Sequence, residues 1–286
     1  MRLFGHSMQA FGAVAGTFAF AIIVAVPSIA HADLRIAIGN DAFSEVQPPL
    51  DDSGFTNDVE LSFWRPVGNH NVGVKLFDRW LTEVGGARRQ DLVELLATAA
   101  HTWGQRRTHE ATLSGRAGLV TTGNLGGRWM QNGWHALSET GPTLDQGLQD
   151  QYITDRHFGA VAGGRAGFSI GDARVQSYGW VDGQLALGTG VSSLEVAYGA
   201  QPVWYLGGTE VAVHVEFAVA RFGVADDALT IPGGYGIDRW QTSWRVGAHV
   251  AWSRYRVEYQ YRANEGGSGE PIGIWAFTIK QAGTRL

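Results

Sequence analysis

The chain contains no cysteine. An exported protein without cysteine takes no stability from disulfides and has no thiol chemistry. Packing and backbone pairing must therefore hold the fold. Long apolar runs are scarce. Only the stretch from Ala10 to Val26 approaches the ~17 residues that a membrane-spanning helix needs. No basic tail or block accompanies the formal charge of −5, so nucleic acid is not an expected partner. No Gly-x-Ser-x-Gly elbow is present, so a serine nucleophile of that kind is not expected.

What is present begins with an export signal. Arg2 provides a positive start, the Ala10 to Val26 stretch an apolar centre, and Ala30-His31-Ala32 the small-residue pattern of a cleavage site. Residues 1–32 are expected to be a signal peptide, and residues 33–286 a single β domain. The 40 glycines and 11 tryptophans suit a bending barrel wall whose rim meets an interface.

Alternation of period two dominates after Ala32. Val211, Val213, Val215, Phe217 and Val219 point one way, and Ala212, His214, Glu216, Ala218 and Ala220 the other. The same pattern runs through Val246–Ser253 and Tyr255–Arg262. Such alternation fits a water-soluble barrel with its apolar face inward, and equally a membrane barrel with that face toward lipid. The signal peptide, the lack of cysteine and the aromatic strand ends favour the membrane version.

Strands are expected at about 33–41, 55–65, 70–82, 90–104, 110–122, 155–170, 173–187, 190–200, 209–222, 239–252, 254–263 and 271–281. Twelve is an even number, as closed outer-membrane barrels require. The stretch Gln201 to Leu206 is the place where this count is open. Gly171-Asp172 and Gly207-Gly208 read as tight turns. The long connections Ser44–Gly54, Gly123–Thr154 and Gly223–Ile237 all fall on the extracellular side if the N-terminus is periplasmic. The fold class is thus an all-β transmembrane antiparallel barrel with a short extracellular loop helix near residues 124–139.

Two constellations carry candidate chemistry. In Trp129-Met130-Gln131-Asn132-Gly133-Trp134-His135, a helix would place Gln131 and His135 on one face, offering a titratable group beside an amide. At the first hairpin, Asn40-Asp41 ends strand one and Phe55-Thr56-Asn57 opens strand two. Pairing would gather Asn40, Asp41 and Thr56 into an all-oxygen cluster of the kind that holds Ca²⁺. The plainer readings are an exposed loop helix and ordinary turn chemistry. His101, His109, His157, His214 and His249 lack such a setting and read as strand or rim residues.

In their order along the chain, Asn40-Asp41, Phe55-Thr56-Asn57 and Gln131-Asn132-Gly133-Trp134-His135 resemble the outer-membrane lipid A 3-O-deacylase family. The resemblance implies a twelve-stranded barrel and a Ca²⁺-dependent esterase that removes the 3′-acyloxyacyl group of lipid A at the outer leaflet. It implies His135 as the catalytic histidine and Gln131 as its companion. Asn40 and Thr56 fall in the polar cluster, with Asp41 on the metal. Arg88 or Arg89 matches a basic position facing lipid phosphate, and Glu139 an acidic one. The expected partners are lipopolysaccharide and the outer membrane, with the chain a monomer. Asp58 departs from the family, which often has glycine there, and Gly86-Ala87-Arg88-Arg89-Gln90-Asp91 replaces its usual segment before strand four. The other readings are a passive channel and a non-catalytic lipid A binding barrel. Cleavage after Ala32 predicts a mature chain beginning at Asp33, which the intact mass of the protein from outer-membrane fractions checks.

Overall fold

The computed structural model describes residues 32–40, 54–67, 70–82, 89–105, 108–123, 156–172, 174–224, 240–263 and 272–280. These residues form twelve strands: β1 Asp33–Asn40, β2 Gly54–Val67, β3 His70–Thr82, β4 Arg89–Gln105, β5 His109–Gly123, β6 His157–Gly171, β7 Val175–Gly188, β8 Val191–Leu206, β9 Thr209–Val224, β10 Trp240–Trp252, β11 Tyr255–Ala263 and β12 Ile272–Ile279. Each pairs antiparallel with its neighbours in sequence, and β1 also pairs with β12, closing the barrel. Most strand bounds fall within two residues of those expected. The main difference is β8, which continues through Gln201–Leu206 because Val203 to Leu206 stay in register with Thr209 to Ala212 of β9. The expected loop helix near residues 124–139 lies outside the described residues.

Closure decides which face meets lipid. In β10, Trp240, Trp244, Val246, Val250 and Trp252 are exposed, while Gln241, Ser243, Arg245 and His249 are buried. Leu119, Phe158, Leu185 and Leu187 likewise stand on the outside. The apolar face therefore points out and the polar face in, the inverse of a soluble barrel and the arrangement of an outer-membrane barrel.

Tight turns close one rim. Leu206 pairs with Thr209 across Gly207 and Gly208, whose φ values of 57° and 85° are left-handed at both positions. Two-residue hairpin turns of that twist favour glycine because it carries no Cβ. At the β6–β7 connection the Asp172 carboxylate accepts hydrogen bonds from the backbone N–H groups of Arg174 and Val175. Those donors favour the charged form and hold the carboxyl below its ordinary range.

Val181, Val196 and Val219 pair in register on β7, β8 and β9 and form a row facing lipid. Val196→Arg is expected to cost about 2–4 kcal/mol of folding free energy, as charge does near the middle of the bilayer. Reversible unfolding in lipid vesicles measures it, and a wild-type midpoint for this variant contradicts the outward assignment.

Candidate functional site

Every residue anticipated at the catalytic site belongs to one end of the barrel or to the connections leaving it. Asn40, the last residue of β1, lies directly opposite Asn57 of β2. Thr56 sits between Phe55 and Asn57, where the β2–β3 register shifts, so it is the extra residue of a β-bulge. Bulges at a barrel rim re-aim the chain. Gly54 pairs with Thr82, and Thr82 pairs with Arg89 at the start of β4. Two residues further along, Asp91 pairs with Gly123, the last residue of β5. The connection carrying Gln131 and His135 therefore leaves the wall beside the start of β4.

The structure thus brings the positions of Asn40, Thr56 and Arg89 to one rim. Asp41, Arg88, Gln131, His135 and Glu139 lie outside the described residues. Among the described residues, no group of three or more His, Asp or Glu side chains is arranged to hold a metal ion.

Below this rim the lumen carries polar groups that sequence patterning placed on one face without assigning partners. Arg116 of β5 donates two hydrogen bonds to the two carboxylate oxygens of Asp182 on β7, at 2.9 and 2.6 Å. Its Nε donates to Gln184 Oε1 at 2.9 Å, and Gln184 in turn donates to Glu94 on β4. Arg165 of β6 donates to the same Asp182 at 3.0 Å and lies over the Trp180 ring. A second cluster centres on Arg245 of β10, which bridges Glu195 of β8 and Glu216 of β9, while Trp180 Nε1 donates to Glu216 at 3.0 Å. A third joins Arg35, Lys75 and Glu60, with Lys75 Nζ 2.8 Å from Glu60 Oε2. Burial of these charges is tolerable because each cationic group sits against a carboxylate, and Asp182 and Glu216 accept further hydrogen bonds.

These clusters surround a lumenal cavity of about 560 Å³. Asp58 also lines it. The Asp58 carboxylate fills the space that a Cβ at its partner position Gly39 would need. The carboxylate at residue 58 is thus accommodated by a glycine across the strand pair. His249 Nε2 lies 3.0 Å from Glu210 Oε1, and His214 Nε2 lies 3.0 Å from Gln260. Neither histidine lines the cavity, so both are inward wall residues.

The lumenal pairs escaped sequence reading because Arg116 and Asp182 are 66 positions apart. The only local signal was a charged residue at an inward position of an alternating strand. Removal of Arg116 takes away the bidentate contact and leaves Asp182 with Arg165. Arg116→Ala should lower stability by about 2–3 kcal/mol, as loss of hydrogen bonds to a charged group does. Arg116→Lys should restore only part of this, since an ammonium lacks the fork. Denaturant midpoints in detergent measure both, and full rescue by lysine excludes the bidentate account.

No protein-family model matches the sequence, and no curated protein matches it. The barrel is similar to the structure of LpxR from Salmonella typhimurium, with a TM-score of 0.61 and 12% identity over 87% of this chain and 99% of that one. It is also similar to the β domain of the Bordetella autotransporter BrkA, with a TM-score of 0.48, 10% identity and coverage of 88% and 98%. Against the Ralstonia pickettii toluene transporter TbuX the TM-score is 0.40, with 10% identity and coverage of 87% and 89%. The chain is a closed twelve-stranded antiparallel barrel of the bacterial outer-membrane kind.

Proposed function

We propose that the protein is an outer-membrane lipid A 3-O-deacylase, hydrolysing the ester that carries the 3′-acyloxyacyl chain. One observation carries the reading. The strand ends holding Asn40 and Thr56 and the start of β4 at Arg89 lie on the rim from which the Gln131–His135 connection departs. The similarity in fold to LpxR, a lipid A 3-O-deacylase, supports the same choice. Long connections on that rim are what an extracellular rim carries, which supports a site at the level of the outer leaflet where lipid A lies.

In this reading neutral His135 accepts a proton from water as the water attacks the ester carbonyl, then returns it to the departing alkoxide. Gln131, four residues earlier, orients the water, and Asn40 orients the substrate. Thr56, as the bulge residue, braces the first hairpin. Arg88 and Arg89 face the lipid phosphate, with Glu139 beside the histidine. The residue types at the first hairpin would suit Ca²⁺: Asn40, Asp41 and Thr56 could offer oxygen ligands, with no sulfur among them. Asp41 would hold the ion, which when bound stabilises negative charge developing on the ester oxygen.

Mass spectrometry of lipid A from cells producing wild type or His135→Ala tests the proposal. The expected result is loss of one acyloxyacyl group with wild type, and at least a ~100-fold lower rate with the variant, the scale of a lost general base. With purified protein the reaction should stop on calcium chelation. Unchanged lipid A across several lipid A types, from a folded wild-type barrel, overturns it. Single-channel conductance would then identify a passive channel, and lipid A binding without hydrolysis a binding barrel.

A further inference from the structure

At the opposite rim, on the outer wall, two histidines face each other. His70 is the first residue of β3 and lies directly across from His101 of β4. Both share the outward face with Val72, Val74, Leu76 and Trp103, all exposed. Their Nδ1 atoms stand 3.2 Å apart, with ring centroids at 4.5 Å. The Trp103 ring lies 4.2 Å from the His101 ring and limits its rotation.

The spacing matches that of two ligands on one metal. Imidazole nitrogens bound at about 2.0–2.1 Å stand about 3.3–3.4 Å apart at tetrahedral angles and about 2.9 Å apart at right angles. The observed separation falls between the two. Neutral imidazole is a preferred ligand of Zn²⁺ and Cu²⁺ and a poor one for Ca²⁺. The antiparallel ladder already fixes both Cα positions, so bringing the ligands together costs little further entropy. This rim carries the short connections and so faces the periplasm, which a divalent ion can reach.

We propose that His70 and His101 form a binding site for one divalent transition-metal ion, Zn²⁺ or Cu²⁺, on the periplasmic edge of the outer wall. The two Nδ1 atoms are the protein ligands and water completes the shell. The site ties β3 to β4 at the rim and is independent of the ester-hydrolase reading, since none of its residues belongs to that site.

Untagged full-length protein folded in detergent is titrated with Zn²⁺ by calorimetry and with Cu²⁺ by electron paramagnetic resonance. The expected result is saturation at one ion per chain, with a spectrum showing two equatorial imidazole nitrogens. His70→Ala and His101→Ala should each weaken binding by at least about 10–100-fold, the scale already seen when only a group orienting a ligand is lost. His109→Ala, at the same rim, and His135→Ala should both leave it unchanged. Heat-modified migration on gels shows that each variant is folded. Zn²⁺ should also raise the unfolding temperature of wild type but not of His70→Ala, because an ion that binds only the folded state stabilises it. No saturable binding, or binding that survives in both His70→Ala and His101→Ala, overturns the proposal. In that case the contact is an N–H···N hydrogen bond between two neutral rings. Binding lost in His135→Ala alone also overturns it and assigns the ion to the other rim.

Discussion

Backbone hydrogen bonding has no substitute in hydrocarbon, and closure of the sheet follows from that constraint. An edge strand inside a bilayer would leave a row of N–H and C=O groups without partners, at several kcal/mol each. Pairing of β1 with β12 removes both edges. Once the sheet is closed, period-two alternation becomes a partition between two solvents. One set of side chains meets lipid and the other is confined to the lumen. Val196 and Glu195 are neighbours in sequence, yet one faces acyl chains while the other binds Arg245.

The lumen shows what that confinement requires. A barrel of this size places guanidinium and carboxylate groups from separate strands within reach of one another. Arg116, Asp182 and Arg165 bind β5, β6 and β7, and Arg245 with its two glutamates binds β8, β9 and β10. These contacts run across the strands, perpendicular to the direction in which each strand is stiff. They brace the wall without adding apolar bulk to the interior. The cavity between them is lined by these charged groups together with apolar side chains such as Phe77, Leu96, Phe222 and Ile274.

A braced wall also fixes where its rim residues sit. The strands supply fixed end points for the connections that leave them. Asn40, Thr56 and Arg89 come from β1, β2 and β4, with β3 between the last two, and the long connection after Gly123 starts beside the first residues of β4. The bulge at Thr56 is the one register shift in the β2–β3 ladder and occurs at this rim. The other rim carries the His70–His101 pair across the β3–β4 ladder.

Much of the architecture was legible in local pattern. Alternation and glycine-bearing turns are encoded within a few residues, so strand positions, strand number and the Gly207-Gly208 turn could be read directly. The proximity of Asn40 to the second strand also followed, because a hairpin joins neighbours in sequence. Alternation alone has no sign, but the export signal, the lack of cysteine and the aromatic strand ends already pointed the apolar face toward lipid, and the closed sheet has Arg245 and His249 inside and Trp244 and Val250 outside. Two things were not legible. Gln201 to Leu206 carry proline and weak alternation, and the pairing of Val203 to Leu206 with β9 made them strand. The partners of Arg116 and His70 lie on other strands, at separations of 66 and 31 positions, and no local rule selects them. The sequence by itself determined the elements and their order, since those depend on short-range periodicity. The tertiary structure alone decided the partners, since these depend on the register of strands that meet only when the barrel closes.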